Sequence, residues 1–491
     1  LYANTTASNN TAVGNNALVA NTTGSQNVAV GAITLDANTT GENNTALGWG
    51  ALSANTTANG NTALGSITLY SNTTGISNTA AGLEALRYNT TGNYNTAVGF
   101  QSLYVNSTGS YNTAVGYTAL DSNITANNST AIGWGALAAS DASNNTAVGT
   151  SALAANTTGG ENTAVGTYAL YPNTTGVNNV AMGYNALGAN TTANDNVAIG
   201  FRTLQANTEG TFNTAVGARA LYLNTTGGGN TSVGEDSLSA NTTANDNSAF
   251  GQNALKANTT GTRNNAFGFG AADATTTALD VAAFGTNALG LNTTGSQNAA
   301  FGTNALVSNT TGGSNTAIGH FALEVSNGSY NTAVGRDAGV FVTTGSNNVY
   351  MGGGAGSVTT TGTGNIIVGY ASQPESAGAS TCHGLGYGII CAGGYTTLGD
   401  GTTDSRLAHG GTTWATVSDE RYKKDIVDSE AGLSLINALR PRTFNYKNKG
   451  ELPESFRAYE EGSTEAFKSS QTQHGFIAQE VKAAIDADNS I

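Results

Sequence analysis

Ser418 opens the stretch Ser418-Asp419-Glu420-Arg421-Tyr422-Lys423-Lys424-Asp425-Ile426, with Lys423 five residues further on. A serine hydroxyl is a weak nucleophile until a base stands beside it. A lysine amine serves as that base only when burial or neighbouring cations lower its pKa, because the neutral form must take the proton. Arg421 and Lys424 supply such cations. By spacing alone the same residues read far more often as a capped, solvated helix start.

Other chemistry is sparse. Cys382 and Cys391 are the two cysteines of the chain, with eight residues between them, and in an oxidising compartment a disulfide between them would staple a small β-region. A metal site needs more ligands than His383 and His409 add, so neither a metal nor a cofactor is assigned. The glycine-rich turns lack a GxxxxGK[ST] phosphate loop. Asn-Thr-Thr triplets match the N-glycosylation pattern but read more simply as turn residues. Glycan hydrolysis would require paired carboxylates in a cleft, and acids such as Glu42, Glu84, Asp121 and Glu161 are scattered.

The elements that would carry these residues follow from the period. Glycines closing NTAVG-like cores recur at Gly14, Gly31, Gly48 and onward to Gly369, 22 units spaced by 17 residues except for two steps of 16, to Gly149 and Gly335. Cores such as Asn27-Val28-Ala29-Val30-Gly31 alternate like strands, and Gly and Asn fall where corners need positive φ. Seventeen residues suit two short strands and two turns, one coil of a parallel β-solenoid. At ~4.8 Å per coil the rod would be about 100 Å long, with each Asn and Thr stacked on its copy in the next coil.

Composition fits that reading. Of 491 residues 66 are glycine and 10% are charged, yet there are only 4 prolines, so the chain looks like a repeat fold rather than a disordered one. A net charge of −14 argues against nucleic-acid binding, and no apolar run is long enough for a membrane span. Residues 1–369 carry six of the 17 Lys and Arg. The division predicted is a repeat shaft over 1–369, a Gly-rich β neck over 370–417 and an α+β domain over 418–491. In the last, a helix is expected from Ser429 to Pro441, a strand at Arg442–Lys447, and a second helix within "GFIAQEVKAAI". A chain that opens on Leu1 is expected to be a fragment or processed product.

The NTAVGxxAL cores resemble the head repeats of trimeric autotransporter adhesins and the shafts of phage tail fibres. The C-terminal landmarks "SDERYKKDI" (418–426), "GLSLINALRPRTFNY" (432–446) and "HGFIAQEV" (474–481) resemble the intramolecular chaperone of endosialidases and phage tailspikes. That resemblance implies a homotrimer whose end domain templates assembly of the fibre and then severs itself between Val417 and Ser418. Ser418 would be the nucleophile, Lys423 its base, and His474 an orienting or proton-shuttling group. Family domains continue beyond the third landmark, so truncation after Ile491 is expected. The function implied is a virion fibre for host attachment through a cell-surface glycan or protein receptor. Rivals are a bacterial surface adhesin, an ice-binding rod and a glycan-degrading rod. Trp49, Tyr70, Phe100, Trp134, Phe201 and Tyr222 are candidates for a carbohydrate-binding surface.

Overall fold

A computed structural model describes residues 2–413, 415–416, 437–454, 458–468 and 471–487. Two compact units divide between Val417 and Ser418. In the first, twenty-two three-residue strands run from β1 (Thr11–Val13) to β22 (Ile366–Val368), one per repeat. Each pairs in parallel with the next at one coil's offset, as in Val28↔Thr45, Ala29↔Ala46 and Val30↔Leu47. This is the parallel β-solenoid that the period requires.

The coil Asn21–Ala37 shows how so few apolar atoms hold it. Ala29 of β2 (Val28–Val30) points inward and Leu35 enters from the opposite arm, both fully buried. The remaining interior is polar. Asn21 and Asn27 are also fully buried and belong to two ladders. Asn38 Nδ2 donates to Asn21 Oδ1 at 2.8 Å and to Gly41 O at 3.0 Å. The Asn44 amide N–H donates to Asn27 Oδ1 at 3.0 Å, and its Nδ2 donates to Ala58 O at 2.9 Å. Buried amides stay affordable only when paired in this way.

Two strands per coil were expected and one is found. The arm Ala32–Ala37 has positive φ at Ile33 (50°) and Leu35 (51°) and is not a β-strand, although it bonds both neighbouring coils: Ile33 N–H to Asn15 O at 2.8 Å and Leu35 N–H to Ala51 O at 3.1 Å. A left-handed leucine costs ~1–2 kcal/mol, and burying its side chain returns ~1.5–3 kcal/mol. The core therefore decides the backbone. Gly31 is different: its φ of 138° suits glycine alone, and a Cβ there would lie 2.6 Å from Gly48 O.

The two 16-residue steps are repaired by side chains. In a full coil the carbonyl of Thr39 accepts the N–H groups of Thr22, Thr23 and Gly24. Where a residue is missing, Asp141 Oδ1 accepts those of Ile124, Thr125 and Ala126 at 3.0, 2.8 and 3.1 Å. Asn327 Oδ1 does the same for Thr310 and Thr311 at 2.7 and 3.4 Å. Where Ser140, Thr275 and Ser326 interrupt an asparagine ladder, the preceding Asn123, Asn258 and Asn309 each keep a buried Oδ1 without a donor. One coil is rebuilt rather than interrupted: Tyr350 takes an alanine position, and Gly339 and Gly356 take the leucine positions on either side, where a Cβ would collide with its ring.

The register continues one coil past Gly369. β24 (His383–Gly386) pairs with β22 as Ile366↔His383, again 17 residues apart, and Gly386 repeats the glycine position. The consensus is lost in this coil, with Gly384 at the inward alanine position, so the sequence hides it. β23 (Gln373–Pro374) pairs with β25 (Ile390–Cys391). β26 (Tyr395–Gly399) still runs parallel to β24, after which β27 (Ser405–Ala408) and β28 (Ala415–Thr416) turn antiparallel and close the sheet.

In the second unit β29 (Arg442–Phe444) pairs antiparallel with β30 (Gln473–Gly475), and helix α1 (Ala478–Ala487) follows. Both elements fall where the sequence places a strand and a helix. The helix expected from Ser429 lies largely outside the described residues. Among the described residues no helix is long and apolar enough to cross a membrane.

Candidate functional site

Val417, Ser418 and Lys423 lie outside the described residues. What the structure describes is the part of the second unit that carries the other two C-terminal landmarks. β29 and β30 bring the second and third C-terminal landmarks side by side, with Thr443 opposite His474. Thr443 Oγ1 lies 3.2 Å from His474 Nδ1, a contact that orients the ring and leaves Nε2 on an exposed edge. Arg442 clamps α1 to this sheet: its Nε and one terminal nitrogen donate to the two Glu480 carboxylate oxygens at 2.8 and 2.5 Å. The bidentate pair holds the Glu480 carboxyl below its usual range, chiefly through the hydrogen bond from Arg442. Lys449 gathers Glu460 and Glu465 at 3.1 and 2.7 Å. Sequence reasoning named His474 but missed Arg442 and Glu480, whose 38-residue separation carries no pattern.

The cysteines are placed by the solenoid. Cys382 occupies the next rung of the Asn27 ladder, and its amide N–H donates to Asn365 Oδ1 at 2.9 Å. Both thiols are free and buried, and Cys382 Sγ donates to Cys391 O at 2.5 Å. The contact with Cys391 and then burial push the Cys382 thiol up, so it stays protonated. His383 faces the other way, as strand alternation demands, and its ring lies 4.5 Å from that of His409, tilted by 41°. Neighbours in sequence thus do not share a face, and Cys382 and His383 do not converge.

The aromatic candidates fall into two columns. Trp49, Phe100, Trp134 and Phe201 each follow the recurring glycine that closes a coil's strand, while Tyr70 and Tyr222 each follow a core leucine. Two of the candidates stack on an aromatic neighbour along the rod: Phe100 on Tyr117 at 5.2 Å and Phe201 on Tyr184 at 5.6 Å, with planes 17° apart in both pairs. In those two pairs one face of each ring is covered by its neighbour, whereas sugar stacking requires an open face. Glu42, Glu84, Asp121 and Glu161 occupy four different coils and four different columns, and Glu84 is engaged by Arg87 and Gln101. These four do not form a carboxylate pair.

Residues 418–488 match the family model described as the chaperone of endosialidase. No curated protein and no solved structure matches the chain. The chain thus joins a β-solenoid of about 23 turns to a C-terminal segment that matches the endosialidase-chaperone model.

Proposed function

We propose that this chain is the homotrimeric fibre of a phage tail, a shaft for attachment to host-surface glycan or protein, assembled by its C-terminal domain and released from it by self-cleavage. The observation carrying the proposal is the chaperone match that begins at Ser418, where the first compact unit ends. Physical need supports it as well. Sliding one near-identical coil past another by a whole repeat preserves almost every contact, so register among chains is weakly specified by the shaft itself. A non-repetitive end that associates first removes that ambiguity.

In the cleavage, the neutral Lys423 amine takes the Ser418 hydroxyl proton as Oγ attacks the Val417 carbonyl carbon. The C–N bond breaks, the proton passes to the departing Ser418 amine, and an ester joins Val417 to Oγ. Water then hydrolyses the ester, leaving a Val417 carboxylate and a chain that begins at Ser418. His474, oriented by Thr443, is placed in this reading to relay the proton.

The test is denaturing electrophoresis with intact mass, on wild type beside Ser418→Ala and Lys423→Ala. A fragment beginning at Ser418 in wild type and absent from both variants is the expected result. An intact wild type that still forms stable trimers would remove the dyad and leave the assembly role, and an intact wild type without trimers would remove both. In an oxidising medium Cys382 and Cys391 join in a disulfide, which the same spectra report as the loss of two hydrogens.

A further inference from the structure

The third residue of every solenoid strand points outward, and it is never polar. From Val13 to Val368 the position is Val, Leu, Ile, Met or Phe, with Ala81 the one small exception, and Leu385 and Leu398 extend it. None of these side chains is buried: Val13 is 57% exposed, Leu47 47%, Ile318 42% and Leu385 55%. Within the column, Phe250, Phe267, Phe284 and Phe301 stack at 4.7 to 4.8 Å with planes 5–8° apart. No other outward column is so uniformly apolar. The one that includes Gln26 carries Glu161, Asp195, Arg263 and Asp280.

At on the order of 60 Å² for each half-exposed side chain, this line presents about 1,300 Å², against ~800 Å² per partner in a standard interface and roughly 300–600 Å² for the largest apolar patch of an ordinary monomer. A strand-edge ladder explains the inward alanines but not the outward apolar residues, since a solvated outer face is free to be polar. Whatever covers the line must itself offer an uncharged, straight apolar surface about 100 Å long with a ~4.8 Å repeat. This chain carries such a surface.

We infer that the outward apolar column is the seam along which copies of this chain pack side by side, parallel and in register, over the length of the solenoid. The parallel sense rests on the proposed function, which puts the assembly domain at the same end of every copy. Association of the shaft is then distributed over every coil rather than confined to the C-terminal domain.

The full chain tests this in three forms. Wild type is compared with Val115→Lys/Val165→Lys/Val216→Lys on the seam and with Tyr111→Lys/Phe212→Lys/Tyr330→Lys, whose side chains are 60, 68 and 66% exposed on a different column. Sedimentation gives the mass and circular dichroism the fold. In parallel, Val165→Cys is treated with a short bis-maleimide, the native cysteines being buried. The expected result is that wild type and control associate and Val165→Cys links copy to copy. The seam variant keeps its β-signal while cross-linking of a Val165→Cys/Val115→Lys/Val216→Lys chain falls at least tenfold. Should the seam variant lose its β-signal, the Val165→Cys chain, which keeps an uncharged seam, decides by itself. Stable wild-type trimers in which Val165→Cys does not cross-link would overturn the seam and leave the fibre proposal standing. A monomeric wild type would overturn both, and linkage of Val165→Cys only to a cysteine placed near the far end of the partner would overturn the parallel register.

Discussion

Asp141 gives the sharpest test of how this solenoid tolerates an irregular coil. One residue is missing there, and the carboxylate oxygen occupies the place of a backbone carbonyl, receiving three N–H groups within 3.1 Å. Ala126 is buried, whereas Ile124 and Thr125 reach solvent, so water can replace part of what Asp141→Ala removes. The nearest energetic analogue is a helix N-cap, whose loss costs ~1–2 kcal/mol. The cost should stay local because each coil touches only its neighbours. Amide exchange at 124–126 should then accelerate by about 5- to 30-fold, the factor that corresponds to this energy, with coils several repeats away unchanged. Asp141→Asn keeps a carbonyl at the same reach, as Asn327 does in the other short coil, and should stay within ~0.5 kcal/mol of wild type. Replacing Asp141 by two threonines, which rebuilds a 17-residue coil, should restore protection without any carboxylate. The reasoning is refuted if Asp141→Ala leaves exchange at 124–126 unchanged, or if Asp141→Asn loses as much as Asp141→Ala.

Two further outcomes follow from the core. Thr275→Asn completes an interrupted ladder by giving the buried Asn258 Oδ1 a donor, and should stabilise the surrounding coils by about 1 kcal/mol in denaturant-dependent exchange; no gain would show that Asn258 was already satisfied. Burial raises the Tyr350 phenol to about 12. A folded pKa above the unfolded value of about 10 means that its contribution is intact below pH ~10 and is lost as pH rises towards 12, an effect on the order of 2–3 kcal/mol. Alkaline unfolding followed by circular dichroism should therefore begin at higher pH for Tyr350→Phe than for wild type, and superimposable curves would show that the phenol is not the sensitive group.

The sequence alone determined the parts of this protein that repeat or are chemically singular. A 17-residue period with a glycine that is never replaced already implies stacked coils, since only a fold in which each unit meets its own copy demands such regularity. Alternation within NTAVG puts alanine inside, and the landmarks around Ser418 and His474 carry the resemblance that the family model bears out for residues 418–488. Tertiary structure decided what depends on contacts between coils or between distant segments. That the core leucine sits in left-handed backbone, that one arm of each coil is not a strand, and that Asp141 and Asn327 stand in for carbonyls all follow from partners about 16 or 17 residues away, which local propensity does not weigh. The same holds for the twenty-third coil, whose register survives although its consensus does not, and for Arg442 and Glu480, joined across 38 residues. A repeat shows which residues share a column; only the folded coil shows whether that column faces the core, a neighbour or solvent.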